Sequence, residues 1–298
     1  MELSIVVPCY NESKSVNEFY DSISSLLSLN KISYELIMVD DGSSDDTLER
    51  LKELNGKDKN VKVISFSRNF GKEAAMLAGL ENSSGKYISI MDADMQHNPS
   101  TLIEMYKKLL DNKNYDVVCA YRENRKDEGT IKRTLTALFY KVINNVSEIK
   151  LLPGAGDFRV FKRSVRDAIV SMKEKTRFLK GMFSFVGFNT IYVPYIPEKR
   201  KYGTSKWSLI KLTKYSLDGI ISFSTMPLTF IFIVGIIIFL IGLINFLLMG
   251  NLSFRTIILF ISFIMLSVGI IALYVCKMYK NSLARPCYII REKIGFSK

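Results

Sequence analysis

Residues 86–99 read Lys-Tyr-Ile-Ser-Ile-Met-Asp-Ala-Asp-Met-Gln-His-Asn-Pro and carry the side chains best placed to do chemistry. Residues 87–91 are a short, mostly apolar run of strand type, and Pro99 opens the next helical pattern. Asp92, Asp94 and Gln96 lie between them. Carboxylates two apart at the end of a buried strand leave the sheet together and can share one cation. Two such anions in a partly dry site are costly unless a metal or a basic group neutralises them. An all-oxygen ligand set suits Mg²⁺ or Mn²⁺, which usually take further oxygens from a substrate phosphate. A solvated turn is the alternative, so the surrounding chain has to decide.

Those surroundings alternate strand and helix. Residues 3–7 form an apolar run closed by Pro8, then Tyr10-Asn11-Glu12 and a helical pattern to about residue 29. Residues 34–39 are a second strand ending in Asp40-Asp41-Gly42-Ser43; Ser44 then caps a helix with Asp45 and Asp46 in its first turn. Residues 61–66 lead through Arg68-Asn69-Phe70-Gly71 into a helix that starts at Lys72, and residues 116–121 make a fifth strand before Arg122. This order predicts an α/β fold with a mostly parallel sheet covered on both faces. Ligands of such sheets bind beyond the carboxyl ends of the strands. Asn11, Glu12, Asp40, Asp41, Arg68, Asp92, Ala93 and Asp94 all fall there.

Further on, an amphipathic helix over residues 131–146 carries Lys132, Arg133 and Lys141. The run Pro153-Gly154-Ala155-Gly156-Asp157-Phe158-Arg159 is a Gly-rich turn into a strand, whose backbone freedom brings Asp157 and Arg159 close to a ligand. An ordinary loop with Arg159 as a surface charge is the plain alternative. Residues 198–206 form a basic loop in which Arg200 and Lys206 are donors for phosphates or for anionic headgroups.

The four cysteines have no paired spacing, which points to a reducing compartment and away from a Cys-based metal site. The single histidine, His97, argues against histidine-ligated zinc and a His-dependent triad; beside acids it reads as a local hydrogen-bonding residue. Net charge is +12, with +1 over residues 1–198 and +11 over residues 199–298. The basic excess belongs to the hydrophobic end, which favours anionic lipid over nucleic acid. The first eight residues read as strand rather than as a secretory leader.

Residues 205–225 have the pattern of an interfacial helix, with Lys211, Lys214, Trp207 and Tyr215. Residues 227–249 hold 23 positions without a charge, about 34 Å of helix, and residues 256–276 are a second uncharged span. Lysines and arginines crowd both outer flanks, and only Arg255 lies between, so the positive-inside rule predicts a hairpin with both ends in the cytosol. The expected layout is a cytosolic domain over 1–198, a basic loop and amphipathic helix over 199–225, two transmembrane helices within 226–280 and a cytosolic tail over 281–298.

The motifs Val7-Pro8-Cys9-Tyr10-Asn11-Glu12, Val39-Asp40-Asp41-Gly42-Ser43, Ser67-Arg68-Asn69-Phe70-Gly71-Lys72 and Met91-Asp92-Ala93-Asp94-Met95-Gln96-His97 resemble the family 2 glycosyltransferases of the GT-A fold. Within them the match is to polyprenyl-phosphate glycosyltransferases, the group of bactoprenol glucosyltransferases and dolichol-phosphate mannose synthases. Gly156-Asp157-Phe158-Arg159 and Thr176-Arg177-Phe178 extend the match, while Asn98 stands where the family commonly has proline. The resemblance implies a Rossmann-like GT-A domain and an inverting, metal-dependent transfer of a sugar from a nucleotide sugar to undecaprenyl or another polyprenyl phosphate. It implies glucose from UDP-glucose first, with UDP-N-acetylglucosamine or GDP-mannose as alternatives.

By the same resemblance, Pro8, Tyr10, Asn11, Glu12, Asp40, Asp41, Arg68, Lys72, Asp92 and Ala93 would hold the nucleotide sugar. Asp92, Asp94 and Gln96 would hold Mg²⁺ or Mn²⁺ across the diphosphate, while Arg122, Arg133, Arg159, Arg200 and Lys206 would meet phosphates. Asp94, Asp157 and Arg159 would be catalytic, with Asp157 either a base or an orienting residue. The expected setting is a bacterial plasma membrane, as a multi-pass homotetramer with both termini cytoplasmic. A processive polysaccharide synthase fits less well, because Trp207 follows Thr204-Ser205-Lys206 rather than a Gln-x-x-Arg signature and two spans cannot enclose a polymer. A non-enzymatic membrane scaffold is the third possibility.

Overall fold

A computed structural model describes residues 1–122, 130–198, 201, 209–249 and 254–296. Its centre is an eight-stranded sheet of β1 (Leu3–Cys9), β2 (Tyr34–Asp40), β3 (Val61–Phe66), β4 (Tyr87–Ile90), β5 (Val117–Arg122), β6 (Ala155–Lys162), β7 (Thr190–Tyr195) and β8 (Ile290–Ile294), in the order β7-β5-β6-β4-β1-β2-β3-β8. β1, β2, β3 and β4 are parallel, as their unbroken apolar character requires of strands covered on both faces. β5 and β7 are also parallel to each other. β6 runs antiparallel to both β4 and β5. That reversal brings the start of β6, with Asp157, to the end of β4, where Asp92 leaves the sheet.

Helices α1 (Val16–Leu29), α2 (Thr47–Lys57) and α4 (Pro99–Asp111) pack on one face of the sheet, burying Phe19, Ile23, Leu51, Leu54, Leu102 and Met105. The other face is covered by α3 (Lys72–Glu81), α6 (Arg163–Ser171) and α7 (Leu179–Phe185) through Met76, Leu80, Ile169 and Met182. α3 lies directly on β1: a Cβ at Gly79 would stand 2.2 Å from a Val6 methyl. That close approach fixes the first turn of α3, which bears Lys72 and Glu73.

A buried charge locks β4 in place. Glu35 of β2 has no exposed surface, and its carboxylate accepts bonds from the Ser4 hydroxyl (2.5 Å), Lys62 Nζ (2.5 Å), and the Ser84 amide (2.6 Å) and hydroxyl (2.8 Å). Burial alone would raise its pKa, but Lys62 and the two serines hold it below the usual carboxylate range. Ser84 and Gly85 lie at the approach to β4, so this carboxylate sets where Asp92 and Asp94 emerge.

Beyond the sheet come α5 (Thr130–Val146), α8 (Leu209–Phe223) and two long apolar helices, α9 (Met226–Met249) and α10 (Phe254–Ser282). Met226–Leu248 and Ile257–Ser282 each contain an 18-residue stretch, of mean hydropathy 3.1 and 2.7, that is almost entirely unburied, and both are long and apolar enough to cross a membrane. After α10 the chain does not trail away. β8 pairs antiparallel with β3, and Tyr288 stacks on Phe66 with ring centroids 4.9 Å apart. The tail expected over 281–298 thus supplies the last strand of the sheet.

Replacing Lys62 with Met leaves Glu35 buried without its cation and is expected to destabilise the protein by about 3–5 kcal/mol. Adding Glu35→Gln is expected to restore most of that loss. Chemical denaturation of the detergent-solubilised variants reads both.

Candidate functional site

The ends of β1 and β2 are stitched together by the residues that motif reading assigned to a nucleotide. The Asn11 amide donates to the Ser43 hydroxyl (2.9 Å) and the Asn11 side-chain oxygen accepts from the Ser44 amide (2.9 Å). The Glu12 amide donates to Thr47 Oγ1 (2.8 Å), and the Glu12 carboxylate accepts from Ser15 (3.0 Å). Asn11 sits at φ 51°, a left-handed backbone that asparagine tolerates better than most residues. Pro8 lies within β1 opposite Val39, and the Tyr10 ring beyond it is exposed to the crevice side of the strand ends.

Asp40 and Asp41 are buried. Asp40 accepts from the Ser43 amide (3.0 Å) and the Ser65 hydroxyl (2.9 Å). Asp41 accepts from the amides of Phe70 (2.7 Å) and Gly71 (3.0 Å), fastening the loop after β3 to the end of β2. Burial pushes the Asp41 carboxyl up to about 6, although both amide bonds pull the other way. Gly42 is required here, at φ 64° with the Arg68 backbone where its Cβ would be. Arg68 lies over the Phe70 ring at 4.4 Å. These carboxylates therefore build the loop that delivers Lys72.

Lys72 is the centre of the site. Its ammonium stands 2.7 Å from Asp92 Oδ1 and 2.8 Å from Asp157 Oδ2, joining residues 85 positions apart. The second Asp157 oxygen is buried with no partner. Burial would raise the Asp157 pKa, but Lys72, Lys180 and Arg159 outweigh it and hold the carboxyl far below its usual range. Its two anionic neighbours in turn raise Lys72 above the ordinary lysine value against the opposing effect of burial.

The turn after β4 holds buried Ala93 and Asp94, and Asp94 Oδ1 accepts from the Gln96 amide (3.1 Å). Met95 takes φ 59°, an uncommon conformation for a non-glycine residue and one that clusters at functional turns. Gln96 in turn accepts from the Glu198 amide (3.1 Å), so the basic loop over 198–206 starts against this turn. Arg200 and Lys206 lie outside the described residues. Arg122 ends β5, its amide bonded to the Gly154 carbonyl (3.0 Å), while Arg133 is exposed on α5. Arg159 is buried, donates from Nε to the Gly156 carbonyl (3.1 Å) and lies over Phe183 at 4.3 Å.

Residue-by-residue reading missed two features. His97 stacks on Phe158 (centroids 4.5 Å apart) and its buried Nδ1 has no hydrogen-bond partner, contrary to the local bonding expected of it. Burial favours the neutral imidazole. Glu73, next to Lys72, accepts from the Tyr215 hydroxyl of α8 (2.9 Å) and from the Leu179 amide (3.1 Å). This ties the helix preceding the apolar pair to the first turn of α3. Only the adjacency of Glu73 to Lys72 hinted at it.

The donor set fits a hard divalent cation. Asp92 and Asp157 share one ammonium, buried Asp94 lies two residues beyond Asp92, and an orphaned Asp157 oxygen remains. Among the described residues no three His, Cys, Asp or Glu side chains converge closely enough to hold an ion unaided. A metal here would draw further oxygens from a bound diphosphate.

Glycosyl transferase family 2 matches residues 4–170, the span that contains every one of these strand ends. The chain belongs to that family. It is an enzyme of the glycosyltransferase class, and its fold is the GT-A arrangement. It is 38% identical over 308 residues to "Uncharacterized glycosyltransferase sll0501" of Synechocystis sp., covering 99% of this chain and 96% of that one. It is 34% identical over 306 residues to "Bactoprenol glucosyl transferase" of Shigella phage SfV, covering 98% and 99%. The crystal structure of mannosyl-3-phosphoglycerate synthase from Rubrobacter xylanophilus superposes with a TM-score of 0.50 at 17% identity, covering 74% of this chain and 72% of that one.

Glu73 provides a pH test. Burial first, then the Asp157 charge, raise its pKa from 4.5 to about 7. The folded protein therefore holds this proton more tightly than the unfolded chain. The resulting stability is complete below pH 4.5 and is lost as pH rises to about 7. Thermal unfolding followed from about pH 5 to about pH 8 is expected to show a flatter decline in Glu73→Gln than in the native protein.

Proposed function

We propose that the protein transfers a glucosyl group from UDP-glucose to a polyprenyl phosphate at a membrane surface, inverting the anomeric carbon. The observation that carries this reading is the Lys72–Asp92–Asp157 cluster at the strand ends, linked through Glu73 and Tyr215 to the helix that precedes the apolar hairpin. A soluble acceptor would give no reason to couple those parts. The relative whose name specifies bactoprenol aligns along the whole chain, which supports the same acceptor class.

An acceptor phosphate oxygen attacks the anomeric carbon while the bond to the nucleoside diphosphate breaks. Phosphate is already anionic at neutral pH, so no strong base is needed. Asp157, held ionised by three cations, is a poor proton acceptor and acts by orienting Lys72 beside Asp92. Lys72 supplies positive charge next to the departing diphosphate. Asp92, Asp94 and Gln96 would hold Mg²⁺ or Mn²⁺, whose Lewis acidity offsets the charge gained by the leaving group.

The proposed layout keeps residues 1–198 as the cytosolic catalytic domain and places α9 and α10 across a bacterial plasma membrane with both ends cytoplasmic. The basic residues outside the pair support that orientation. β8 supports it too, since it lies in the same sheet as β1 and must be on the same side.

Membranes containing the protein are to be incubated with labelled UDP-glucose, UDP-N-acetylglucosamine and GDP-mannose together with undecaprenyl phosphate. Transfer from UDP-glucose that requires Mg²⁺ or Mn²⁺ is expected. Asp94→Ala is expected to lower kcat/KM by about a hundredfold or more. Transfer from another donor would change the sugar, and absence of lipid product with all three would end the proposal.

A further inference from the structure

Beside the Lys72 cluster, on the same face of the sheet but nearer β7, lies a small, partly open cleft. Its walls include Lys150, Arg159 and Lys180, with Tyr140 of α5 and Tyr192 of β7. Every charged residue lining it is a cation, and no carboxylate does so among the described residues. Arg159 is 6% exposed, and beyond its Nε bond and its stacking on Phe183 the two terminal guanidinium nitrogens have no acceptor among the described residues. Lys180 forms no hydrogen bond or ion pair among the described residues, and neither does the hydroxyl of Tyr140 or of Tyr192. Among the described residues the Lys150 ammonium is bonded only to a carbonyl, that of Asn144. Asp157 is the acid whose charge Arg159 and Lys180 feel, and its Oδ2 is already held by Lys72. That leaves positive charge in excess, and several idle donors around one space call for a compact ligand rich in acceptor oxygens.

We infer that this cleft is a binding site for a phosphate monoester, separate from the Asp92–Asp94 turn. Such a group carries close to two negative charges and three acceptor oxygens, which three cations and two hydroxyls can saturate. Its depth in the protein also counts. The Ser224 hydroxyl donates to the Val146 carbonyl, joining the end of α5 to the short link between α8 and α9. Tyr140 is about two turns back along α5, and Lys150 is four residues past Val146. On the membrane reading above, the cleft stands at headgroup level. The exposed side chains of Leu135, Leu138 and Phe185 then offer an apolar path for an attached chain.

Calorimetric titration of the detergent-solubilised full-length protein with inorganic phosphate and with decyl phosphate tests this. No nucleotide sugar is present, so the answer stands whatever becomes of the transferase reading. Saturable binding is expected, weakened about tenfold in Lys180→Gln and about tenfold in Lys150→Gln. Lys107→Gln, on α4, is expected to bind like the native protein. Tighter binding of decyl phosphate supports a lipid headgroup as the source, and equal binding supports free phosphate; either outcome upholds the site. Should Lys180→Gln fail to fold, Tyr192→Phe serves instead, with a loss of a few-fold. No saturable binding of either probe, or unchanged affinity in the folded variants, overturns the inference.

Discussion

One ammonium between two carboxylates organises this protein. Lys72 meets Asp92 from the end of β4 and Asp157 from the start of β6, so a single side chain sets the spacing of two strands that run in opposite directions. Pulling those carboxylates into a half-dry crevice without it would leave like charges facing each other, which is costly. Much of the neighbouring architecture serves to bring Lys72 there. Asp41 holds the loop after β3, Gly42 lets that loop come close, and Gly79 seats α3 on β1. The pair it forms also leaves one buried Asp157 oxygen without a hydrogen-bond partner among the described residues.

The parallel half of the sheet was readable in the chain because buried strands leave an unmistakable trace: unbroken apolar runs, each followed by acids or amides. The Asp92–Asp94 turn was readable for the same reason. The bonds that Asp40 and Asp41 make to the chain itself were not, since an acid that accepts from backbone amides and one that accepts from a ribose look alike in one dimension. The Lys72–Asp157 bond joins partners 85 residues apart, and local spacing carries no record of it. Nor does it show that β6 enters the sheet backwards, or that Glu73 reaches α8. His97 was read from its acidic neighbours alone, and the aromatic ring of Phe158, which sets its position, lies 61 residues further along.

The second half of the chain is less separate from the first than its composition suggests. α8 contacts α3 through Tyr215 and Glu73, Lys277 of α10 donates to the Asp218 carbonyl (3.1 Å), and the Tyr274 hydroxyl donates to the Ser224 carbonyl (2.7 Å). Polar side chains at the ends of apolar helices thus dock onto the helix beneath them. A shift of these helices would be felt at the first turn of α3, next to Lys72.

β8 follows both long apolar helices in the chain, and it covers the edge of β3. Until α9 and α10 have both been made, that edge offers unpaired backbone groups to any other strand. Completion of the sheet is therefore timed to follow synthesis of both long helices, so that a chain cut short before them carries an open, aggregation-prone margin.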